Sequence, residues 1–333
     1  MIIKPKVSVI IPNYNDSDTL PFCIESVLSS LYPEYEVIVV DDKSTDNSLD
    51  IISRYPVKLY RYDINRGQGA ARNTGAHFAT GEILFFTDAD VQIKEDTIQK
   101  VVETFIRVVD AAAVVGLPDK RCVYHNLTSI HFNRRILYNY LRLPDYINVL
   151  YGTISAVKRD AFLGIGGFDE QITGVEDNEI GLRLVAKGCR IYHSKEIPVV
   201  HMKEISLWEI FRNDFNRTVD RVKLLLGRKM TVDVIRKKRF ITSPLFQLLS
   251  PFVAFVIVVT AVFSLKMPLF FLITTMPALV VFFALNSGYL RFICRDEGVG
   301  FSMRLFLFLV LDMFIVSLGL AYGVVLFFLG EKY

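Results

Sequence analysis

Three long apolar runs near the C-terminus constrain this chain more than any other feature. Residues 245–265 (LFQLLSPFVAFVIVVTAVFSL), 268–290 (PLFFLITTMPALVVFFALNSGYL) and 305–329 (LFLFLVLDMFIVSLGLAYGVVLFFL) each reach the roughly 20 residues that cross a bilayer core. The first two carry no formal charge and the third carries only Asp312. Three transmembrane α-helices within residues 244–333 are therefore expected. Cations set the orientation: RKKR (236–239) precedes the first run and Arg291, Arg295 and Arg304 lie in or beside the loop before the third, against Lys266 alone at the first turn-around. The excess of Lys and Arg marks the cytoplasmic side. An integral membrane protein is expected, in the plasma membrane of a prokaryote, with its N-terminal part cytoplasmic and its C-terminus extracytoplasmic. The opening MIIKPKVSVIIPNYN has too short an apolar run for a signal peptide. Cys23, Cys122, Cys189 and Cys294 form no CxxC pair, which fits a reducing compartment without metal or disulfide duty. A net charge of +3 is too small to suggest a nucleic-acid partner.

Residues 1–203 read as one domain, followed by a basic stretch at 204–243. KVSVIIPNY, YEVIVVDD, VKLYRYD and EILFFTDAD have the composition of strands, and the segments between them have helical spacing. Such alternation predicts an α/β domain with a mostly parallel sheet covered on both faces. In sheets of that kind ligands bind beyond the carboxyl ends of the strands. Here those ends carry Asn13, Tyr14 and Asn15, then Asp41 and Asp42, then Asp88 and Asp90.

The stretch GEILFFTDAD ends a run of strand-forming residues on two carboxylates. In extended chain Asp88 and Asp90 project to one side about 6.6 Å apart. A divalent cation with oxygen ligands, magnesium or manganese, would fill that gap. The alternative is that Asp90 caps a helix over KEDTIQKVVETFIRVV. A second acidic cluster, Glu176, Asp177 and Glu179 in GVEDNEIGLRL, sits where a helix begins. It is either acid favoured by the helix dipole or a catalytic group.

In VSVIIPNYN, VIVVDDKSTDNS, NRGQGAARNTG, FTDAD, GGFDE and GVEDNEIGLRL, taken in this order, the sequence resembles the inverting glycosyltransferases of family 2, with the Rossmann-like GT-A fold; the likeness spans most of residues 5–203. The resemblance implies a nucleotide-sugar donor, with uracil or guanine as base, and Mn2+ or Mg2+ as cofactor to neutralise the departing diphosphate. It implies that Asp90 holds the metal, and that Asp88 reaches the ribose or, through water, the metal. Asp42 would accept a hydrogen from the base, against a wall of Pro12, Asn13 and Tyr14, and Arg72 would contact donor oxygens. Asp177 would be the general base and Glu176 would orient the acceptor or the base. His201, ending IPVVH, would complete the metal site; the alternative is an ordinary structural histidine.

Residues 203–240 hold eleven Lys or Arg against five Asp or Glu, with Trp208, Ile210, Phe211 and Phe215 interleaved. An interfacial amphipathic segment pressed on anionic headgroups is expected. The alternative is a solvated helix, for which Trp208 and VKLLL need another apolar partner. Asp312, about 12 Å inside its run, should find a polar partner. The QxxRW signature of processive polymer synthases in the resembled family is absent, which favours single transfers. The leading expectation is a membrane-anchored, metal-dependent glycosyltransferase moving one sugar from a UDP- or GDP-sugar to the hydroxyl of a lipid or lipid-linked saccharide. A polyprenyl-phosphate sugar synthase of the dolichol-phosphate-mannose type and a non-catalytic sugar-nucleotide-binding scaffold are the alternatives. Phosphate is already ionised and needs no base, so the Asp177 motif speaks for a hydroxyl acceptor.

Overall fold

The computed structural model describes residues 4–227, 239–240, 243–244 and 249–331. Most of RKKR (236–239), much of the basic stretch and the first four residues of the expected span at 245–265 lie outside the described residues. The chain divides into two compact units, Met1–Tyr124 with Tyr140–Glu204, and His125–Asn139 with Ile205–Tyr333. The segment 125–139, read from sequence as part of the N-terminal domain, thus packs with the C-terminal helices.

In the first unit the described strands are β1 (Val7–Asn13), β2 (Tyr35–Asp41), β3 (Lys58–Arg61), β4 (Ile83–Thr87), β5 (Val91–Gln92), β6 (Ala111–Pro118), β7 (Tyr146–Ile147), β8 (Ile154–Lys158) and β9 (Arg190–His201). They form one sheet in the order β3-β2-β1-β4-β8-β6-β9-β5, with β7 paired to β9. Every residue of β1 is buried, as a continuous apolar run covered on both faces demands. The short, charged β3 serves as an edge. From β3 to β4 all pairings are parallel. The sheet as a whole is mixed, however, and the expectation of a mostly parallel one is corrected. β8 lies antiparallel between β4 and β6, and β5 and β7 run antiparallel to β9. The chain between β6 and β8 makes no strand–helix–strand crossover in the first unit, because its helix belongs to the second. Nothing in the apolar spacing of 113–155 announces that reversal.

Around the sheet lie α1 (Leu20–Leu28), α2 (Ser48–Ile52), α3 (Gln68–Phe78) and α4 (Thr97–Arg107). The second unit takes nearly all of α5 (Leu127–Tyr140), whereas α6 (Arg159–Gly164) and α7 (Glu176–Ala186) return to the first. Asp90 does not cap α4, whose N-cap is Asp96.

The second unit continues with α8 (Leu207–Gly227), α9 (Leu249–Ser264), α10 (Phe271–Glu297) and α11 (Val299–Phe328). Among the described residues two helices, α10 and α11, are long and apolar enough to cross a membrane; α9 is a shorter apolar helix. Three full spans are therefore not what the described residues display. The inward stripe of α8, including Ile210, Thr218 and Val222, is buried. Its cover is α11: a Cβ on Gly319 would fall 2.9 Å from Phe215 O, and one on Gly323 would fall 2.9 Å from Val222 Cβ. Small residues allow that approach, as at helix contacts in membranes. The apolar stripe expected to meet headgroups thus meets α11, while Trp208 stays 72% exposed.

Asp312 of α11 has its polar partner. Arg135 of α5 donates to both oxygens of Asp214 on α8 at 2.6 and 2.8 Å, and to Asp312 at 3.3 Å. His131 Nε2 lies 3.8 Å from Asp312, and the Tyr289 hydroxyl is 3.0 Å from His131 Nδ1.

Candidate active site

Folding gathers the acidic motifs at the carboxyl rim of the sheet, but the two aspartates of TDAD do not stand side by side. β4 stops at Thr87, and a turn closed by Val91 N–H donating to Asp88 O (3.2 Å) aims the two carboxylates at different partners. Asp88 accepts from Arg72 Nη2 at 2.7 Å and from the Thr153 hydroxyl at 3.1 Å. Asp90 instead meets His201, because β5 pairs with β9 so that Val91 faces His201. His201 Nε2 is 3.2 Å from Asp90 Oδ1.

That oxygen is buried and receives no well-aligned hydrogen bond among the described residues. Burial alone would raise the pKa of Asp90, but the His201 imidazole and Lys203 outweigh it and hold the carboxyl at about 2. Asp16, in the loop after β1, responds the opposite way: burial and then the charge of Asp90 push it up to about 6, with Asp88 adding to the rise. The corner is thus rich in negative charge. An under-satisfied carboxylate oxygen beside an imidazole is a donor set that suits a divalent cation, manganese in particular. Among the described residues no three His, Cys, Asp or Glu side chains converge as a preformed metal site. Asp90 and His201 would be the protein's ligands, with Asp88 turned toward Arg72. The Cys23 thiol donates to Asp88 O at 3.3 Å, its pKa raised by burial and the nearby aspartates, and no disulfide joins the four cysteines, all of them among the described residues.

Pro12 and Asn13 end β1, buried, and Tyr14 is exposed just beyond. Asn13 Nδ2 donates to Asp41 at 2.8 Å and to Ser44 Oγ at 3.0 Å, leaving its Oδ1 without a donor among the described residues. Asp42 accepts from the backbone N–H groups of Arg66 and Gly67 at 2.6 and 2.7 Å. It therefore shapes the loop entering α3, and only its remaining lone pairs can face a ligand.

Glu176 and Asp177 open α7. Glu176 Oε1 is 3.3 Å from Arg72 Nη1, and its Oε2 is buried without a donor among the described residues. Burial, then the charge of Asp177, raise the Glu176 pKa. Asp177 Oδ1 accepts from Asn178 N and Nδ2 at 2.8 and 2.6 Å. Arg183 pairs with Glu179 at 2.7 Å and donates to the carbonyls of Ile165 and Gly167, tying α7 to the GGFDE loop. Sequence reading overlooked three contributors: Asp16, Thr153 and Lys203. Asp16 follows Asn13 by three positions at a strand end and was accessible to the rule applied to its neighbours. Thr153 had no such signal.

Residues 8–165 match the sequence profile of Glycosyl transferase family 2, and residues 134–205 match that of the N-terminal domain of galactosyltransferase. Over residues 8–165 this chain carries a family 2 glycosyltransferase domain. The domain is 39% identical over 137 residues to an uncharacterised glycosyltransferase of Nostoc sp., covering 40% of this chain and 39% of the relative. It is 29% identical over 187 residues to a poly-beta-1,6-N-acetyl-D-glucosamine synthase of Staphylococcus epidermidis, covering 54% of this chain and 45% of the relative. The chain thus matches less than half the length of either relative. The glycosyltransferase fold is shared with a mannosyltransferase from Pyrobaculum calidifontis, solved with GDP-Man and Mn2+, at a TM-score of 0.57 and 19% identity over 99% of this chain and 89% of that one.

Proposed function

We propose that this protein is a membrane-anchored, metal-dependent inverting glycosyltransferase that moves a single sugar from a UDP- or GDP-sugar to a hydroxyl of a lipid or lipid-linked saccharide at the cytoplasmic face. One observation carries the reading: acidic groups from separate segments, Asp88 after β4 and Glu176 at the start of α7, meet at a single arginine, Arg72, while Asp90, two residues past Asp88, pairs with His201. Asp90 and His201 would hold Mn2+ or Mg2+, which supplies Lewis-acid neutralisation of the leaving diphosphate. Asn13 and Asp42, with Pro12 and Tyr14 alongside, would receive the base and ribose. Asp177 would take the proton of the acceptor hydroxyl as it attacks, and Glu176 would set the acceptor's position. The apolar helices α10 and α11 support membrane anchoring and a lipid-borne acceptor.

The test is a donor screen by thermal shift with Mn2+ present, since a ligand that binds the native state raises its apparent stability. Sugar transfer is then measured in two variants. Asp90→Ala is expected to abolish metal-dependent donor binding, whereas Asp177→Ala keeps binding and loses transfer by about 10²- to 10⁴-fold. Unchanged transfer in either variant refutes the role given to that residue.

A further inference from the structure

Arg72 ties the donor carboxylate to the acceptor carboxylate in a way that neither acidic motif explains. Its side chain is 2% exposed. One Nη lies 2.7 Å from Asp88 and the other 3.3 Å from Glu176. The Phe168 ring lies beneath the guanidinium, 5.5 Å away. Backbone closes the remaining side: a Cβ on Gly152 would fall 2.8 Å from Arg72 Nη2, so any side chain there must displace the fork. The guanidinium is buried and held on several sides, Nη2 also donating to Gln68 Oε1 at 3.3 Å, and the carboxylates it brackets are Asp88 and Glu176.

We propose that Arg72 is a positioning residue that relays occupancy of the donor site to Glu176. The proposal rests on the glycosyltransferase reading given above. In the structure the guanidinium is shared, closer to Asp88 than to Glu176. A donor that engages Asp88, directly or through its cation, competes with the Arg72 hydrogen bond there. The arginine then bears more fully on Glu176 and fixes the start of α7, where Asp177 sits. By thermodynamic reciprocity, if donor binding strengthens the Arg72–Glu176 contact, that contact strengthens donor binding by the same factor, so removing the Glu176 carboxylate weakens it. Donor binding would thereby order the acceptor side before a hydroxyl arrives.

The relay is tested by a double-mutant cycle on the full chain in detergent, reading the affinity for GDP and UDP with Mn2+. Glu176→Gln removes the competing carboxylate, leaves Arg72 to Asp88, and is expected to weaken nucleoside-diphosphate binding by about fivefold or more. In an Arg72→Met background the same substitution should have little effect, because the relay is gone. A through-space loss of negative charge would persist in that background, so an equal effect of Glu176→Gln in both backgrounds overturns the relay. So does no effect in the wild-type background. Should Arg72→Met not fold, Gly152→Ala displaces the guanidinium without removing it and is expected to suppress the Glu176→Gln effect in the same way; an effect of undiminished size there also overturns the proposal. Failure of the wild-type chain to bind either nucleotide with Mn2+ removes the functional reading and the relay together, a different result from binding without coupling.

Discussion

The two units each set an arginine between two carboxylates, yet they seal opposite partners. In the first unit Arg72 is closed off at 2% exposure, while Asp88 and Glu176 remain 20% and 12% exposed. In the second, Arg135 is 23% exposed and Asp312 is shut in at 0%. The charge balance differs too. Around Arg72 the carboxylates of Asp16, Asp88, Asp90, Glu176 and Asp177 outnumber the nearby cations. Around Arg135 the described acids are Asp214 and Asp312, and His131 is driven well below its ordinary pKa, first by burial and then by Arg135. Surplus charge that can reach a cleft attracts a cation. Charge that is nearly balanced and enclosed can only hold helices together. Arginine, histidine and carboxylates thus make a partly exposed acidic rim in one place and a fastening in the other.

Chelation separates the two most sharply. Treatment with EDTA is expected to abolish sugar transfer, with recovery on adding Mn2+, because chelation removes the cation proposed to sit at Asp90 and His201. The thermal transition of the helical unit should not move. Transfer that persists after exhaustive chelation would break the contrast.

Arg135→Met comes next. Removing one member of a buried pair strands the others, so a loss of about 3–5 kcal/mol of stability is expected by denaturation in detergent. The triple variant Arg135→Met, Asp214→Leu, Asp312→Leu should recover most of that loss, since an apolar replacement of the whole cluster leaves no charge uncompensated. A triple variant no better than the single one would mean that the cluster does more than fasten helices.

The smallest effect is the slope of stability with pH in metal-free protein. Asp16 sits at about 6 when folded against an ordinary 3.8, so the native state binds its proton more tightly and stability should fall as pH rises through that window. Asp214 has the opposite sign. Burial raises it, but Arg135 outweighs burial and holds it at about 2, so its contribution is present above 3.8 and is lost as pH falls toward 2. Asp16→Asn should flatten the upper window and Asp214→Asn the lower, measured by urea denaturation at stepped pH. Slopes of the same sign in both windows would erase the distinction.

Much of the first unit is legible in the sequence. The four strands from β1 to β4 follow from apolar runs that end in polar residues, and the rim location of Asn13, Asp42, Asp88 and Asp90 follows from the strand ends. The mixed second half of the sheet was not legible, since strand direction depends on partners distant in the chain. Segment 125–139 shows the same limit: polar and apolar residues alternate there in a way that fits either unit, and only its packing assigns it to the second. Asp312 announced itself as a charge in an apolar run, but nothing local pointed to Arg135, 177 positions earlier.

Sequence alone determined the local chemistry of this protein: which segments are apolar enough to be buried or to enter a membrane, and which residue types stand at the strand ends. Those properties depend on neighbours along the chain. Tertiary structure alone decided which carboxylate meets which cation. The turn after β4 gave Asp88 to Arg72 and Asp90 to His201, because ion pairing and burial act through space, between groups that the chain order keeps apart.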